Sequence, residues 1–127
     1  MFKRKKRQKA REISSMAELE ELAEDGRPIL IDFFQFGCSP CQVMDGIVNE
    51  LANEFGESAE VVKVNVANAP DMIRPFKVQS TPTFVVVSPM EKAKATRLHQ
   101  RWRASGLVKK DALTKVLTDA GAVLAAE

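Results

Sequence analysis

The sequence predicts an α/β domain with a largely parallel sheet, because strand-like apolar runs alternate with segments of helical periodicity. The clearest strand is the continuous apolar run ILIDFF at residues 29–34, which is typical of a strand buried on both faces. The clearest helix follows at residues 40–55, where apolar side chains recur at helical spacing up to Gly56. A chain of 127 residues, 45% of them hydrophobic, is long enough to bury the core of one such domain.

The remaining elements are predicted from local signals. Ser14 and Ser15 can cap a short helix over residues 16–23, and Gly26 and Pro28 then end it. Further elements are expected as strands at residues 61–66, 83–87 and 96–103, a short irregular helix at 70–76, and a C-terminal helix at 108–120.

The segment at residues 96–103 alternates between apolar and basic side chains. This pattern predicts an edge strand with Leu98 and Trp102 together on one face. The opposite face is expected to be solvated, because charged side chains are mostly exposed. It would carry Arg97, His99, Arg101 and Arg103.

Basic residues are concentrated at the N-terminus, where residues 2–11 hold seven of the 19 Lys and Arg and no acid. We therefore expect a disordered tail at residues 1–11, a folded domain at 12–120 and a short C-terminal tail at 121–127. The basic tail either serves only solubility or tethers the domain to an anionic surface, either lipid headgroups or nucleic acid.

The cellular compartment of the protein is predicted from the length and position of its apolar runs. None approaches the ~18 residues that span a bilayer. The basic N-terminus is not followed by the apolar stretch of a secretory signal. We therefore expect a cytoplasmic protein, a setting in which paired cysteines are more often catalytic or metal-binding than structural.

The only two cysteines, Cys38 and Cys41, lie between the buried strand and the long helix. A structural disulfide would close a very small ring and constrain the unfolded chain little. A structural zinc site needs four ligands, and His99 is the only histidine, so a metal site would need carboxylates or a second chain. A metal site and an inert pair remain alternatives to a working dithiol, and no metal or cofactor is expected.

Position distinguishes the two thiols. Cys38 would lie at the helix N-terminus, where unpaired N–H groups and the helix dipole favour an anion. Its pKa should therefore be lowered, which makes it the candidate nucleophile. Cys41, one turn inside the helix, is less exposed and suits the resolving role. Pro40 fits the first turn, since its missing N–H costs nothing there.

The segments ILIDFFQFGCSPC, VVKVNVANAP and STPTF, followed by an amphipathic C-terminal helix, resemble the thioredoxin family over residues 13–117. The resemblance implies a thioredoxin fold: a central mixed sheet flanked by helices, with the last two strands antiparallel to the first ones. It also implies reversible thiol–disulfide exchange with protein substrates.

The resemblance further implies a role for each matching residue. Cys38 corresponds to the attacking cysteine and Cys41 to the resolving one, and Asp32 to the buried acid behind it, with Lys63 as its neighbour. The implied substrate-binding positions, including the cis-proline loop at Pro82, are Gly37, Ser39, Pro40, Thr81, Pro82 and Gly106.

Asp32 can also be interpreted from physics alone. A carboxyl group in an apolar strand is costly unless it is partnered or functional. Burial raises its pKa and a neighbouring Lys63 would lower it, so the acid could exchange a proton with Cys41. The alternative is a purely structural ion pair between Asp32 and Lys63.

Four positions depart from the pattern of the family that the chain resembles: Ser39 replaces a glycine between the cysteines, Gly37 and Phe34 each replace a tryptophan, and Gly46 replaces a proline. For this reason the electron donor, a reductase in the family, is left unidentified. Two functions remain: a monomeric thiol–disulfide oxidoreductase that reduces protein disulfides, or a binding module recruited through its basic tail.

Overall fold

A computed structural model describes residues 8–90 and 97–125 of the chain. Its five-stranded sheet has the order β1-β3-β2-β4-β5. The strands and helices are β1 (Arg11–Glu12), α1 (Met16–Ala23), β2 (Ile29–Phe34), α2 (Ser39–Phe55), β3 (Glu60–Asn65), α3 (Pro70–Ile73), β4 (Thr83–Met90), β5 (Arg97–Ser105) and α4 (Lys110–Asp119).

The sheet is mixed. Strands β1, β2 and β3 are parallel, whereas β4 is antiparallel to β2 and β5 is antiparallel to β4. The mixed thioredoxin fold implied by the resemblance is thus confirmed. The expectation of a largely parallel sheet was wrong for β4 and β5. Strands β4 and β5 follow one another in the chain and are separated only by residues 91–96, which is too short for the crossover of about a dozen residues or more that parallel neighbours need.

Both faces of the sheet are covered, because successive side chains of a strand point to opposite sides. Ile29, Ile31 and Phe33 of β2 pack with α1 and α3, and we call this side the α1/α3 face. Leu30 packs with α2 and α4 on the other side, the α2/α4 face. Strand alternation places Asp32 on the α2/α4 face as well.

Helix ends agree with the capping signals in the sequence. Ser15 caps α1, and its Oγ accepts a hydrogen bond from Glu18 N–H at 3.2 Å. Cys38 is the N-cap of α2, and Pro40 lies in the first turn. The helix ends at Gly56, which has a φ of 58° and therefore a conformation that favours glycine.

The N-terminal segment is more closely attached than the sequence suggested. Arg11 and Glu12 pair with β3, although Arg11 was assigned to the tail. Gln8 N–H donates to Asn53 Oδ1 and Ala10 N–H to Asn49 Oδ1, at 3.1 and 3.0 Å. Residues 1–7, which include most of the basic tail, lie outside the described residues.

The C-terminal residues also contact the domain. Ala122 is buried, and Ala125 N–H donates to Glu54 O at 2.6 Å near the end of α2. The predicted tail at 121–127 therefore begins as a packed segment, with residues 126 and 127 outside the described part.

Strand β5 contains a bulge that overturns one expectation. Val86 pairs with Trp102 but Val87 pairs with Gln100, so Arg101 is an extra residue. An extra residue reverses the alternation. As a result Leu98 packs on the α1/α3 face and Trp102 on the α2/α4 face, not together as predicted. The expected basic stripe is likewise split between the two faces, although all four of its side chains are exposed.

Candidate active site

The two cysteines form a disulfide at the N-terminus of α2, with their Cα atoms 5.2 Å apart. Cys38 is partly exposed, whereas Cys41 is 5% exposed. Cys38 Sγ accepts a hydrogen bond from Cys41 N–H at 3.2 Å. The sulfur of Cys38 therefore already occupies the position of a capping anion, where a thiolate would be stabilised after reduction.

The turn between β2 and α2 delivers Cys38 to this position. Gly37 has a φ of 81°, a conformation that glycine adopts without strain. Ser39 and Pro40 follow in the first turn and are exposed beside the disulfide. The departure from the family at Gly37 thus provides a tight turn in place of an aromatic side chain.

The loop before β4 lies against Cys38. Thr81 O is 3.5 Å from Cys38 Sγ, and the Thr81–Pro82 peptide bond is cis, in agreement with the resemblance. Gly106 N–H donates to Pro82 O at 2.9 Å, which joins the end of β5 to the same loop. The loop and the disulfide are therefore in contact with each other.

Asp32 lies within β2, on the α2/α4 face of the sheet, and is 1% exposed. Its Oδ1 has no hydrogen-bond partner among the residues that the structure describes. Burial raises the pKa of Asp32 to about 7; Lys63 opposes this shift and the Asp45 carboxylate adds to it. A carboxyl group that titrates near neutral pH can both accept and return a proton.

Lys63 is adjacent to Asp32 in the sheet, since the two residues are register partners on β3 and β2. Its ammonium group nevertheless forms its ion pair with Asp45 on α2 and lies 4.9 Å from the centre of the Phe34 ring. A structural ion pair between Asp32 and Lys63, the alternative left open by the sequence, is not found within residues 8–90.

Two residues of this region were missed by the sequence analysis. Asp45 follows Cys41 by four positions and so lies on the same side of α2, a spacing that could have revealed it. Phe36 is 82% exposed and packs edge-to-face on Phe34 with ring centres 6.0 Å apart. Its position two residues before Cys38 was the available signal.

Residues 8–90 and 97–125 contain neither a candidate metal site nor a membrane-spanning helix. No group of three or more His, Cys, Asp or Glu side chains there could hold a metal ion. None of the helices in these ranges is long and apolar enough to cross a membrane.

Comparison with curated proteins gives partial matches. The chain is 32% identical over 78 residues to rice chloroplastic thioredoxin Y, covering 61% of this chain and 45% of that protein. It is 31% identical over 67 residues to thioredoxin 1 of Synechococcus elongatus, covering 53% and 63%. A bifunctional thioredoxin reductase/thioredoxin of Mycobacterium leprae is 29% identical over 75 residues, covering 59% and 16%. The matched regions thus span less than two thirds of these relatives.

Comparison with solved structures agrees on the fold. A mutant thioredoxin from Halobacterium salinarum aligns with a TM-score of 0.75 at 22% identity, covering 97% of this chain and all of that one. Mitochondrial thioredoxin 3 from Saccharomyces cerevisiae, in its oxidised form, aligns with a TM-score of 0.66 at 24% identity, covering 87% and 94%. The sequence model of the thioredoxin family matches residues 11–118. With the CxxC disulfide at the N-terminus of α2 and the facing cis-proline loop, this match shows that the chain belongs to the thioredoxin family.

Proposed function

We propose that this protein is a thiol–disulfide oxidoreductase that reduces disulfides of protein substrates through Cys38 and Cys41. The observation that carries the proposal is the Cys38–Cys41 disulfide at the N-terminus of α2, with the partly exposed Cys38 facing Thr81 and Pro82. The same backbone can hold the pair open or closed, because residues three apart on a helix are already close.

The reaction uses the two electrons of the dithiol. The Cys38 thiolate attacks one sulfur of the substrate disulfide, forms a mixed disulfide and releases the other sulfur as a thiolate. Cys41 then attacks Cys38 Sγ, which breaks the mixed disulfide and releases the second substrate sulfur. The protein is oxidised to the disulfide seen in the structure, and the substrate is reduced to two thiols.

Asp32 serves the second step as general base. Cys41 is buried and must lose its proton before it attacks. Asp32 lies on the α2/α4 face, the side of the sheet that α2 covers, and its pKa of about 7 suits proton exchange near neutral pH. Lys63 adjusts the charge around Asp32 from the neighbouring strand.

Substrate binding is assigned to the surface around the disulfide. The turn at Gly37, Ser39 and Pro40 and the loop at Thr81, Pro82 and Gly106 form its polar backbone. Exposed apolar side chains lie close in the chain to the same segments, which suits contact with the apolar surface of a partly unfolded or disulfide-bonded protein. They are Phe36, Val43 and Leu107.

A thioredoxin reductase is proposed as the electron donor. The name of the Mycobacterium leprae relative joins a reductase and a thioredoxin in one protein, which supports this class of donor. Gly37 and Gly46 replace residues of the family pattern, so the reductase should recognise this protein through somewhat different contacts.

The protein is still predicted to be a monomer in the cytoplasm, although some matched relatives are named as chloroplastic. A weak contact of the basic tail with anionic lipid or nucleic acid also stays a prediction.

The test is reduction of a disulfide-bonded protein such as insulin, with dithiothreitol as the source of electrons. The wild type should accelerate reduction well beyond dithiothreitol alone, and Cys38→Ser should abolish the acceleration. Cys41→Ser should accumulate mixed disulfides with the substrate, because only the attacking thiol remains. A wild-type rate equal to that of dithiothreitol alone would favour the binding module instead.

A further inference from the structure

Asp45 occupies the position from which it can compete with Asp32 for Lys63. It lies on α2, four residues after Cys41, and is 43% exposed. Its Oδ1 accepts the ion pair from Lys63 Nζ. Its Oδ2 lies 3.5 Å from the donor Asn49 Nδ2, and Asn49 in turn accepts from Ala10 N–H. The ion pair is therefore held between α2, β3 and the N-terminal segment.

Asp32, by contrast, is left without a partner. It is the register neighbour of Lys63, yet its Oδ1 makes no hydrogen bond to any residue in the described ranges. An unpaired buried carboxyl group is costly, and a flexible lysine on the next strand could relieve that cost. The arrangement in which Lys63 instead reaches Asp45 thus keeps Asp32 unpaired.

We propose that Asp45 is a positioning residue for the dithiol reaction: by engaging Lys63, it prevents an ion pair between Lys63 and Asp32 and leaves Asp32 able to take up and return the Cys41 proton. The inference rests on the proposed function, because the proton belongs to the second step of that reaction.

The attack of Cys41 on the mixed disulfide moves one proton and conserves the electron pairs. The S–H bond of Cys41 breaks and its proton goes to the Asp32 carboxylate. The Cys41 sulfur forms a bond to Cys38 Sγ as the bond from Cys38 to the substrate sulfur breaks. The electron pair of that bond leaves on the substrate thiolate, which then takes a proton from Asp32 or from water.

The charged groups that act on Asp32 support this role. Burial is the largest influence on the pKa of Asp32 and raises it; Lys63 on β3 lowers the pKa, and Asp45 on α2 raises it. On the other side β4 presents the uncharged Phe84 as register neighbour. The thiols of Cys38, the N-cap of α2, and Cys41, in its first turn, also titrate once the disulfide is reduced.

Helix α4 also covers this face, and it contributes apolar side chains there. In the part of the chain that the structure describes, the ion pairs of α4 do not include Asp32 or Lys63. Lys110 pairs with Glu50 and Glu54 on α2, and Lys115 pairs with Asp119 within α4. Neutralising Asp45 should therefore leave Lys63 as the main charge near Asp32. Both the loss of a like charge and the freed ammonium would lower the pKa of Asp32.

The experiment compares Asp45→Asn with Glu50→Gln, which removes the same charge from an exposed, ion-paired site on the same helix. Carboxyl NMR titration of the oxidised protein should place the Asp32 midpoint at lower pH in Asp45→Asn, by about one unit. The Glu50→Gln midpoint should match that of the wild type. In a Lys63→Met background, Asp45→Asn should shift the midpoint much less, because the effect acts through Lys63.

A kinetic measurement links the shift to the reaction. A chromophoric thiol is attached to Cys38 as a mixed disulfide, and its release by Cys41 is followed between pH 5 and 9. The midpoint of this profile should move to lower pH in Asp45→Asn and stay in place in Glu50→Gln.

An unshifted Asp32 titration in Asp45→Asn, or an equal shift in Glu50→Gln, would overturn the inference. The titration needs no substrate, so this failure is separate from failure of the proposed function. The latter would appear as a wild-type protein that does not accelerate insulin reduction.

Discussion

The two faces of the sheet are built from the same strands but differ in whether their buried acidic side chains have a partner. On the α1/α3 face, the buried acid of β2 and β3 is ion-paired: Glu60, at the start of β3, binds Arg27 at 2.6 Å, and the other buried side chains there are Ile29, Ile31, Phe33, Val62 and Val64. On the α2/α4 face, the neighbouring positions of the same strands carry Asp32 and Lys63, next to the end of α2 that holds the disulfide. Asp32, unlike Glu60, has a carboxylate oxygen with no hydrogen-bond partner among the described residues, so its burial is best explained by chemistry rather than by the fold.

The largest effect should come from removing the buried acid. In Asp32→Asn, the cost of burying a carboxylate is lost. The pKa of Asp32 is raised from 3.8 to about 7 in the folded protein. Ionisation of the buried carboxyl group therefore lowers the stability of the wild type as pH rises from about 4, and the full cost is reached above about 7. Asp32→Asn should avoid this loss and be more stable at pH 8 by on the order of 3 kcal/mol. Urea unfolding of the oxidised proteins at pH 5 and pH 8 measures it.

The same variant should be slower in the second chemical step. Release of a thiol from the Cys38 mixed disulfide should fall about tenfold or more at pH 7. This is less than the roughly hundredfold minimum typical of general-base catalysis, because a thiol partly ionises at that pH without a base. The control is Ile31→Val on the opposite face of the same strand. It should cost about 1 kcal/mol at both pH values and leave the pH profile of release unchanged. Identical pH dependence of stability in the wild type and Asp32→Asn would remove the contrast between the faces.

Most of the fold could be predicted from the sequence because its elements carry their own signals. Strand β2 was expected at residues 29–34 and is found there, since a continuous apolar run between turn residues allows little else. Strand β1 has only two exposed polar residues and no pattern, so its pairing is set by β3 rather than by its own side chains. The bulge at Arg101 was also invisible, because alternation cannot reveal an extra residue.

The placement of the cysteine pair beside the proline loop was predictable from the sequence, whereas the ion pairs of the site were not. Cys38, Cys41 and Pro82 were expected together and the structure places them together. The partner of Lys63 was not predictable, because Asp32 and Asp45 are both near it and only the packing of α2 on the sheet decides between them.

The smallest effect is expected at the N-terminus, far from this contrast between the faces. A truncated variant that begins at Gln8 lacks the five consecutive basic residues at 3–7 but keeps the backbone contacts of Gln8 and Ala10. It should reduce insulin as fast as the full chain. At low salt it should be retained less on heparin and on anionic vesicles, since each basic residue near such a surface contributes about 1 kcal/mol. Equal retention of both proteins would leave the basic residues with a solubility role only.

The most direct test of the account is the reduction potential of the Cys38–Cys41 pair, measured by equilibration with glutathione buffers and thiol alkylation. A protein that reduces disulfides should have a potential near about −270 mV, well below the range of oxidising members of the fold. Cys38→Ser, which has no couple, provides the baseline. A potential near about −120 mV would contradict the account, because such a pair would oxidise protein thiols rather than reduce disulfides.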